Sequence, residues 1–405
     1  MFYKLLSRIQ VNHCNTFVAM RKLAYTLAAL LSVYLLFTFF APSIIDGQFN
    51  PVLVDGPYTV SEEAQTLFSS LDFVGDLHCD ALLWDRDLLK RNSQGQVDIP
   101  RMEQGNVALQ AFTIVSKSPK GQNMQQNTAE TDNITSLVIG QGRGIDSWFS
   151  LYERAMDQCE ALHGFAEKSD DKFFVIRDKS EFQSFLKGRS ADRSLTAGYL
   201  GVEGGHCLEG KLENVDGLWQ AGVRMMGPTH FFDNELGGSA HGVSGAGLTD
   251  FGKQVVKRMN EIGMIIDVAH SSEAIIDDVL AMTTKPILTS HTGVKGTLNS
   301  PRNLSDKHLK GIAETGGLIG IAFFKEAIGG TSAETIVTTM KYVKGLVGYE
   351  YVALGSDYDG SVATDFDCTG FNLLVEEMMK QGFNEEEIRG VMGDNMKRFL
   401  LNNLP

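Results

Sequence analysis

Eight apolar runs of strand length, at 73–79, 107–115, 197–203, 222–229, 263–269, 285–291, 317–324 and 351–357, constrain this chain more than any other feature. Helix-like segments lie between most of them. Residues 145–167 place Trp148, Tyr152, Met156, Cys159 and Leu162 three or four apart, on one helical face. Thr249 can cap a helix over 250–262, where Phe251, Val255, Val256 and Met259 recur at helical spacing, and 272–283 and 332–347 behave alike. Near-continuous apolar strands alternating with helices indicate a parallel sheet covered on both faces. Eight such units predict an α/β fold of the closed (β/α)₈, TIM-like kind. No glycine-rich phosphate fingerprint follows the first strand, which weakens an open dinucleotide-binding sheet.

No Pro-rich or Gly/Ser-rich linker divides the chain after residue 45, so residues 46–405 read as one domain. The polar stretch 116–144 lacks periodicity and reads as a long excursion loop, a kind of segment that usually carries function or flexibility. Residues 1–45 are different. Leu23 to Ala41 carries no charge and follows Arg21 and Lys22. At ~1.5 Å per residue it can just cross a hydrocarbon core of ~30 Å. The basic residues before it, with Asp46 and Asp55 after it, predict an inside N-terminus and an exported body. A membrane anchor and a cleaved secretory signal both fit, though Phe39-Phe40-Ala41-Pro42 is a poor processing site.

The formal net charge is −14, and the basic leader makes the body more acidic still. That argues against a nucleic-acid partner, since phosphate binding needs a basic face. The five cysteines, Cys14, Cys79, Cys159, Cys207 and Cys368, are scattered and form no CxxC pair, which excludes a disulfide-dense scaffold and favours buried thiols. Sequons stand at Asn133 and Asn303.

The chemistry gathers where the apolar runs stop. His78 and Asp80 stand two apart in GDLHCD, so a strand presents them on one face and turns Cys79 to the other. Glu203 lies among glycines in GVEGGH, His270 closes IIDVAH and His291 closes ILTSH. Each alone has a plain structural explanation: a hydrogen-bonded buried histidine, or a salt-bridged glutamate at a turn. Imidazoles and carboxylates together at one pole of a parallel barrel are what a zinc hydrolase needs. Ser290 and Asp267 are candidates for orienting the imidazoles, and Asp76 for a structural hydrogen bond. His230, Arg302 and Asp357 fall at the same pole, with Asp359 a rival to Asp357. They could polarise a carbonyl, clamp a carboxylate and exchange a proton, respectively. His163, His206, His241 and His308 read as surface or supporting residues.

The ordered set HCD, VEGGH, GPTH, LTDFGKQVVKRMNEIGMIIDVAHSS, SHT, PRN and GSDYDG, over roughly residues 60–400, resembles the membrane dipeptidase (renal dipeptidase) family of zinc peptidases. The resemblance implies a metallohydrolase barrel with two zinc ions per chain. His78 and Asp80 would hold one, His270 and His291 the other, and Glu203 would bridge them. It implies hydrolysis of free dipeptides by a hydroxide shared between the metals, with His230, Arg302 and Asp357 handling substrate and protons. A homodimer is implied by the likeness alone. Cys79 departs from the small polar residue more usual there, and FFDNELGGSAHG after His230 resembles bacterial-type members. The competing expectations are a related binuclear amidohydrolase acting on N-acyl amino acids or lactams, and an inactive exported binding protein.

Overall fold

The computed structural model describes residues 2–405, without the side chains of 4–16 and 39. Lys4, Arg8 and Cys14 therefore lie outside what is described at side-chain level. The strands are β1 Val74–Cys79, β2 Val107–Ile114, β3 Phe173–Val175, β4 Thr196–Val202, β5 Val223–Met226, β6 Ile265–Ile266, β7 Leu288–Thr292, β8 Leu318–Ile321 and β9 Val352–Leu354. They follow one another in space as β6-β5-β4-β2-β1-β9-β8-β7. The two ends meet where Asp267 pairs with Leu288 and the Val268 amide donates to the Leu288 carbonyl at 2.8 Å. All eight expected strands are present and form the barrel. The short β3, which the apolar pattern did not reveal, adds to the start of β4.

The barrel interior explains the run-like strands. Leu77, Leu109, Ala111, Tyr199, Met225, Leu288 and Leu318 form a buried cluster that Phe399 and Leu400 of the last helix and Leu404 just after it also join. A larger cluster packs strand residues such as Phe112, Leu200 and Ile319 against Val255, Ile276, Ile312 and Met340 of the helices. Both strand faces are thus apolar, as a parallel sheet with outer helices requires. The helices cap as read: Thr249 accepts the Gly252 amide at the start of Asp250–Ile262, and Ser272 and Ser332 do the same for Glu273–Met282 and Ala333–Val347. The helical stretch 145–167 is interrupted. A single turn, Ile145–Trp148, ends at Phe149, and Ser150 caps the helix Leu151–Glu167.

Helix α1, Phe2–Phe49, runs unbroken past residue 45. Its middle is exposed and apolar, while its last turns enter the body. Asp46 is 2 % exposed and pairs with Arg86 at 3.1 Å. Arg86 in turn pairs with Asp359 at 2.7 Å, and the Asn50 side chain accepts the Ser361 amide at 2.9 Å. The cysteines Cys79, Cys159, Cys207 and Cys368 are free and buried.

Candidate metal centre and substrate pocket

The C-terminal ends of the strands deliver the expected side chains to one place. His78 and His291 sit on β1 and β7, and Asp80 and Glu203 directly follow β1 and β4. His230, His270 and Asp357 are not on strand ends as the sequence suggested. They lie in the turns a few residues beyond β5, β6 and β9, because those strands stop early. His270 and Asp357 take left-handed backbone conformations, with φ of 58° and 62°. Such conformations are unfavourable for residues other than glycine and gather at functional sites.

Glu203 is the hub. Its Oε1 lies 3.0 Å from His270 Nε2, 3.4 Å from His291 Nε2 and 3.5 Å from His78 Nε2. Its Oε2 lies 3.2 Å from His230 Nε2. His78 Nε2 is also 3.5 Å from Asp80 Oδ1 and 3.7 Å from Asp357 Oδ1. His270 and His291 bring their Nε2 atoms within 2.9 Å of each other. Three sets have donor atoms close enough to hold one ion: His78, Glu203 and His291; Glu203, His230 and His270; and His78, Asp80 and Asp357.

The surrounding protein fixes these rings. The Ser290 hydroxyl lies 2.9 Å from His78 Nδ1 and 3.0 Å from His291 Nδ1, turning both Nε2 atoms to the centre. Asp267 accepts the Ser290 amide at 2.9 Å. Gly320 and Gly355 flank the Ser290 carbonyl, and a Cβ on either would collide with its oxygen. Thr113, at the end of β2, donates to Asp80 at 2.6 Å. The sequence offered no sign of it beyond its place at the same pole. Asp76 accepts the Ser356 hydroxyl at 2.6 Å and Gln110 at 2.9 Å, a structural role. Asp359 is engaged by Arg86 and the Gln96 and Val97 amides, away from the cluster, and so is separated from the place of Asp357.

The electrostatics fit a cation. Burial, then the Asp80 carboxylate, pushes Glu203 well above the usual carboxylate range. Burial foremost raises Asp357 to about 8. Burial depresses His78, but Glu203, Asp80 and Asp357 overcome this and lift it to about 10. His270 and His291 are held far below their ordinary value, by burial first, and so are neutral imidazoles, the form that ligates. His78 Nε2 and Glu203 Oε1 are buried without a hydrogen-bond partner among the described residues. Buried polar atoms are rarely left so, and these point inward to a place where a metal would satisfy them. The donor set of imidazole and carboxylate suits zinc and similar divalent ions.

A cavity of about 620 Å³ opens onto Asp80, Glu203, His230, His270 and Asp357. Its wall includes Ser118 and Gln122–Gln125 of the excursion loop, together with Leu53, Phe231 and Phe324. The 116–144 stretch is therefore part of the pocket and contains one helix, Ile134–Gly140. Of the two readings, surface or supporting, His241 takes the supporting one: it is buried and ties the loop down, its Nδ1 2.9 Å from the Met124 carbonyl and its ring stacked on Phe231. His206 and His308 are likewise buried, and only His163 is partly exposed. Arg302 is 2 % exposed; it donates to the His291 carbonyl at 2.6 Å, while Nε and Nη1 have no partner among the described residues.

Comparison with known proteins bears on the fold and the family. A dipeptidase from Clonostachys rogersoniana, verJ, is 30% identical over 264 residues, which is 63% of this chain and 66% of that protein. The alignment thus spans just under two thirds of that relative. Among solved structures, a metallo peptidase from Rhodobacter sphaeroides, bound to a phosphinate mimic of the dipeptide L-Ala-D-Ala, superposes with a TM-score of 0.66. It is 23% identical, with 82% of this chain and 99% of that one covered. The probable dipeptidase PvdM from Pseudomonas aeruginosa gives a TM-score of 0.70 at 17% identity, covering 84% of this chain and 97% of its own. At these identities the superpositions establish the shared fold. Residues 61–402 match the membrane dipeptidase family, and the chain accordingly belongs to that family of metallopeptidases, peptidase family M19.

Proposed function

We propose that this chain is a zinc-dependent dipeptidase with two zinc ions held by His78, Asp80, Glu203, His270 and His291, Glu203 being common to both. The observation that carries the reading is the convergence of three imidazole Nε2 atoms on one glutamate oxygen that has no other partner. A pair of zinc ions at such a centre supplies Lewis acidity and water acidified to a pKa of ~7.

The chain's own groups account for the rest. The guanidinium of Arg302, whose Nε and Nη1 lack partners among the described residues, is suited to hydrogen-bond the C-terminal carboxylate of a free dipeptide. A longer peptide carries that carboxylate elsewhere, so the clamp limits substrate length. His230 is kept neutral by burial, its pKa pushed down to about 3. A neutral imidazole can donate to the carbonyl oxygen as negative charge develops there. Asp357 stands at the cavity wall. Beside a bound cation Asp357 would be ionised, a carboxylate able to take a proton from the attacking water and return it to the departing amine. Helix α1 would hold the body on the exported side of a membrane.

The test is a zinc analysis of the purified chain alongside parallel assays with dipeptides and N-acetyl amino acids. Two zinc ions per chain with dipeptide turnover are expected. A metal-free protein, or turnover confined to N-acetyl amino acids, rejects the reading.

A further inference from the structure

Helix α1 carries the barrel in a defined position, because its outer part packs against the body well before its apolar run ends. The Tyr34 hydroxyl donates to the Ile139 carbonyl at 2.9 Å. A Cβ added to Gly140 would meet the Phe37 ring at 3.1 Å. These contacts join α1 to the helix Ile134–Gly140. Tyr34 precedes Ala41, the last residue of the segment read as the span, by about 10 Å along a helix axis at ~1.5 Å per residue. If Leu23 to Ala41 crosses the hydrocarbon core, the end of the Ile134–Gly140 helix lies at or below the membrane surface.

The composition of that segment matches such a depth. Ile134–Gly140 reads ITSLVIG, without a charge. The turn after it exposes Ile145 (63 %) and Phe149 (84 %), two of the few large apolar side chains exposed outside α1. Arg143 turns to Asp157 at 2.6 Å and to the Leu82 carbonyl at 2.9 Å, while the carboxylate of Asp146, between Ile145 and Phe149, is exposed, as a side chain at headgroup level can be. Behind the segment, Ile134, Val138, Leu83, Trp84 and Val115 form a small apolar cluster on which Ile45 and Trp148 pack. Leu83, Val115 and Ile134 also line the cavity.

We propose that residues 134–149 form a second contact with the same phospholipid bilayer that α1 spans, with Ile145 and Phe149 seated in the interfacial layer. The occupant of this apolar face is lipid, because the helix leading into it packs on the apolar α1 at Tyr34 and Phe37. An apolar patch fixed beside a membrane span gains more from burial in the interface than from exposure to water. The catalytic mouth then opens close to the membrane surface, with its wall braced by the anchor. The inference rests on α1 being retained as an anchor, and the experiment separates the two.

The full chain is reconstituted in phosphatidylcholine vesicles as the Cys14→Ser, Phe149→Cys variant carrying an environment-sensitive fluorophore. A matched Cys14→Ser, Glu314→Cys variant labels an exposed site shortly before β8, at the opposite pole. Alkaline extraction of the vesicles reports the anchor. Quenching by brominated phosphatidylcholine reports lipid contact at the label. Retention in the vesicles with strong quenching at 149 and none at 314 is expected. Retention with equal, weak quenching at both positions overturns the second contact while leaving the anchor standing. Release of the protein, with a mature N-terminus beyond Ala41, overturns both.

Discussion

His78 and His291 share one hydroxyl. Ser290 Oγ stands 2.9 Å from the Nδ1 of the first and 3.0 Å from that of the second. Two rings from strands far apart in sequence are thereby aimed at the same carboxylate. Outer hydrogen bonds of this sort fix the tautomer and the angle of metal-binding imidazoles. Ser290→Ala is expected to lower metal affinity or kcat/KM about 10–100-fold, the usual cost of losing such a partner. Competitive zinc titration beside steady-state kinetics measures both; unchanged values would show that packing alone orients the rings.

Glu203→Gln removes the negative charge around which three imidazoles converge. Loss of bound metal and of turnover together is expected, with the far-ultraviolet circular dichroism of a folded barrel retained. In the parent protein, chelation should lower Tm, since a ligand bound only to the folded state stabilises it by about 2.7 kcal/mol at a hundredfold excess over Kd. The variant's Tm should not respond to chelator. A chelator response equal to the parent's would remove Glu203 from the metal centre.

Arg302→Ala deletes the guanidinium assigned to the substrate carboxylate. A charge-assisted hydrogen bond contributes about 1.5–3 kcal/mol, so KM for free dipeptides should rise roughly 10–100-fold. C-terminally amidated dipeptides, which never engage the clamp, should lose little. Equal losses on the two substrates would contradict the assignment.

His206 gives the fold a sensitivity to acid. Burial, followed by the nearby Lys117 charge, pushes its pKa from 6.5 to about 3. Below pH 6.5 the unfolded chain takes up a proton that the folded chain refuses. Stability is therefore full above that pH and falls as the pH drops toward 3, by about 1.4 kcal/mol for each unit. Urea midpoints at pH 7.5 and pH 5 should differ less in His206→Phe than in the parent, whatever the variant's absolute stability. Equal differences would show that His206 does not set this slope.

The two sequons should behave differently in a glycosylating host. Asn133 is exposed, whereas Asn303 is buried and its Nδ2 donates to the Leu298 and Ala327 carbonyls at 2.7 and 2.8 Å. Peptide mapping should find glycan on Asn133 alone. Glycan on Asn303 in active protein would mean that this loop opens.

The barrel was legible because burial on both faces imposes apolar runs, and all eight runs became strands. The segment β3 escaped because three half-buried residues make no pattern. Five candidate ligands were legible because imidazole and carboxylate at the ends of apolar strands have few cheaper explanations in combination. The surroundings of the site were not. Leu53, Thr113 and His241 come from a segment before the barrel, a strand end and a loop, and local sequence does not state what such residues touch. Asp357 and Asp359 are equivalent on paper, two apart in GSDYDG. Only folding separates them, by bringing Arg86 to one and the candidate metal cluster to the other. The sequence by itself determined which elements form and which side chains sit at the catalytic pole, since periodicity and residue chemistry are local. Tertiary structure alone decided which of those side chains meet, because their distances depend on closure of the barrel between β6 and β7.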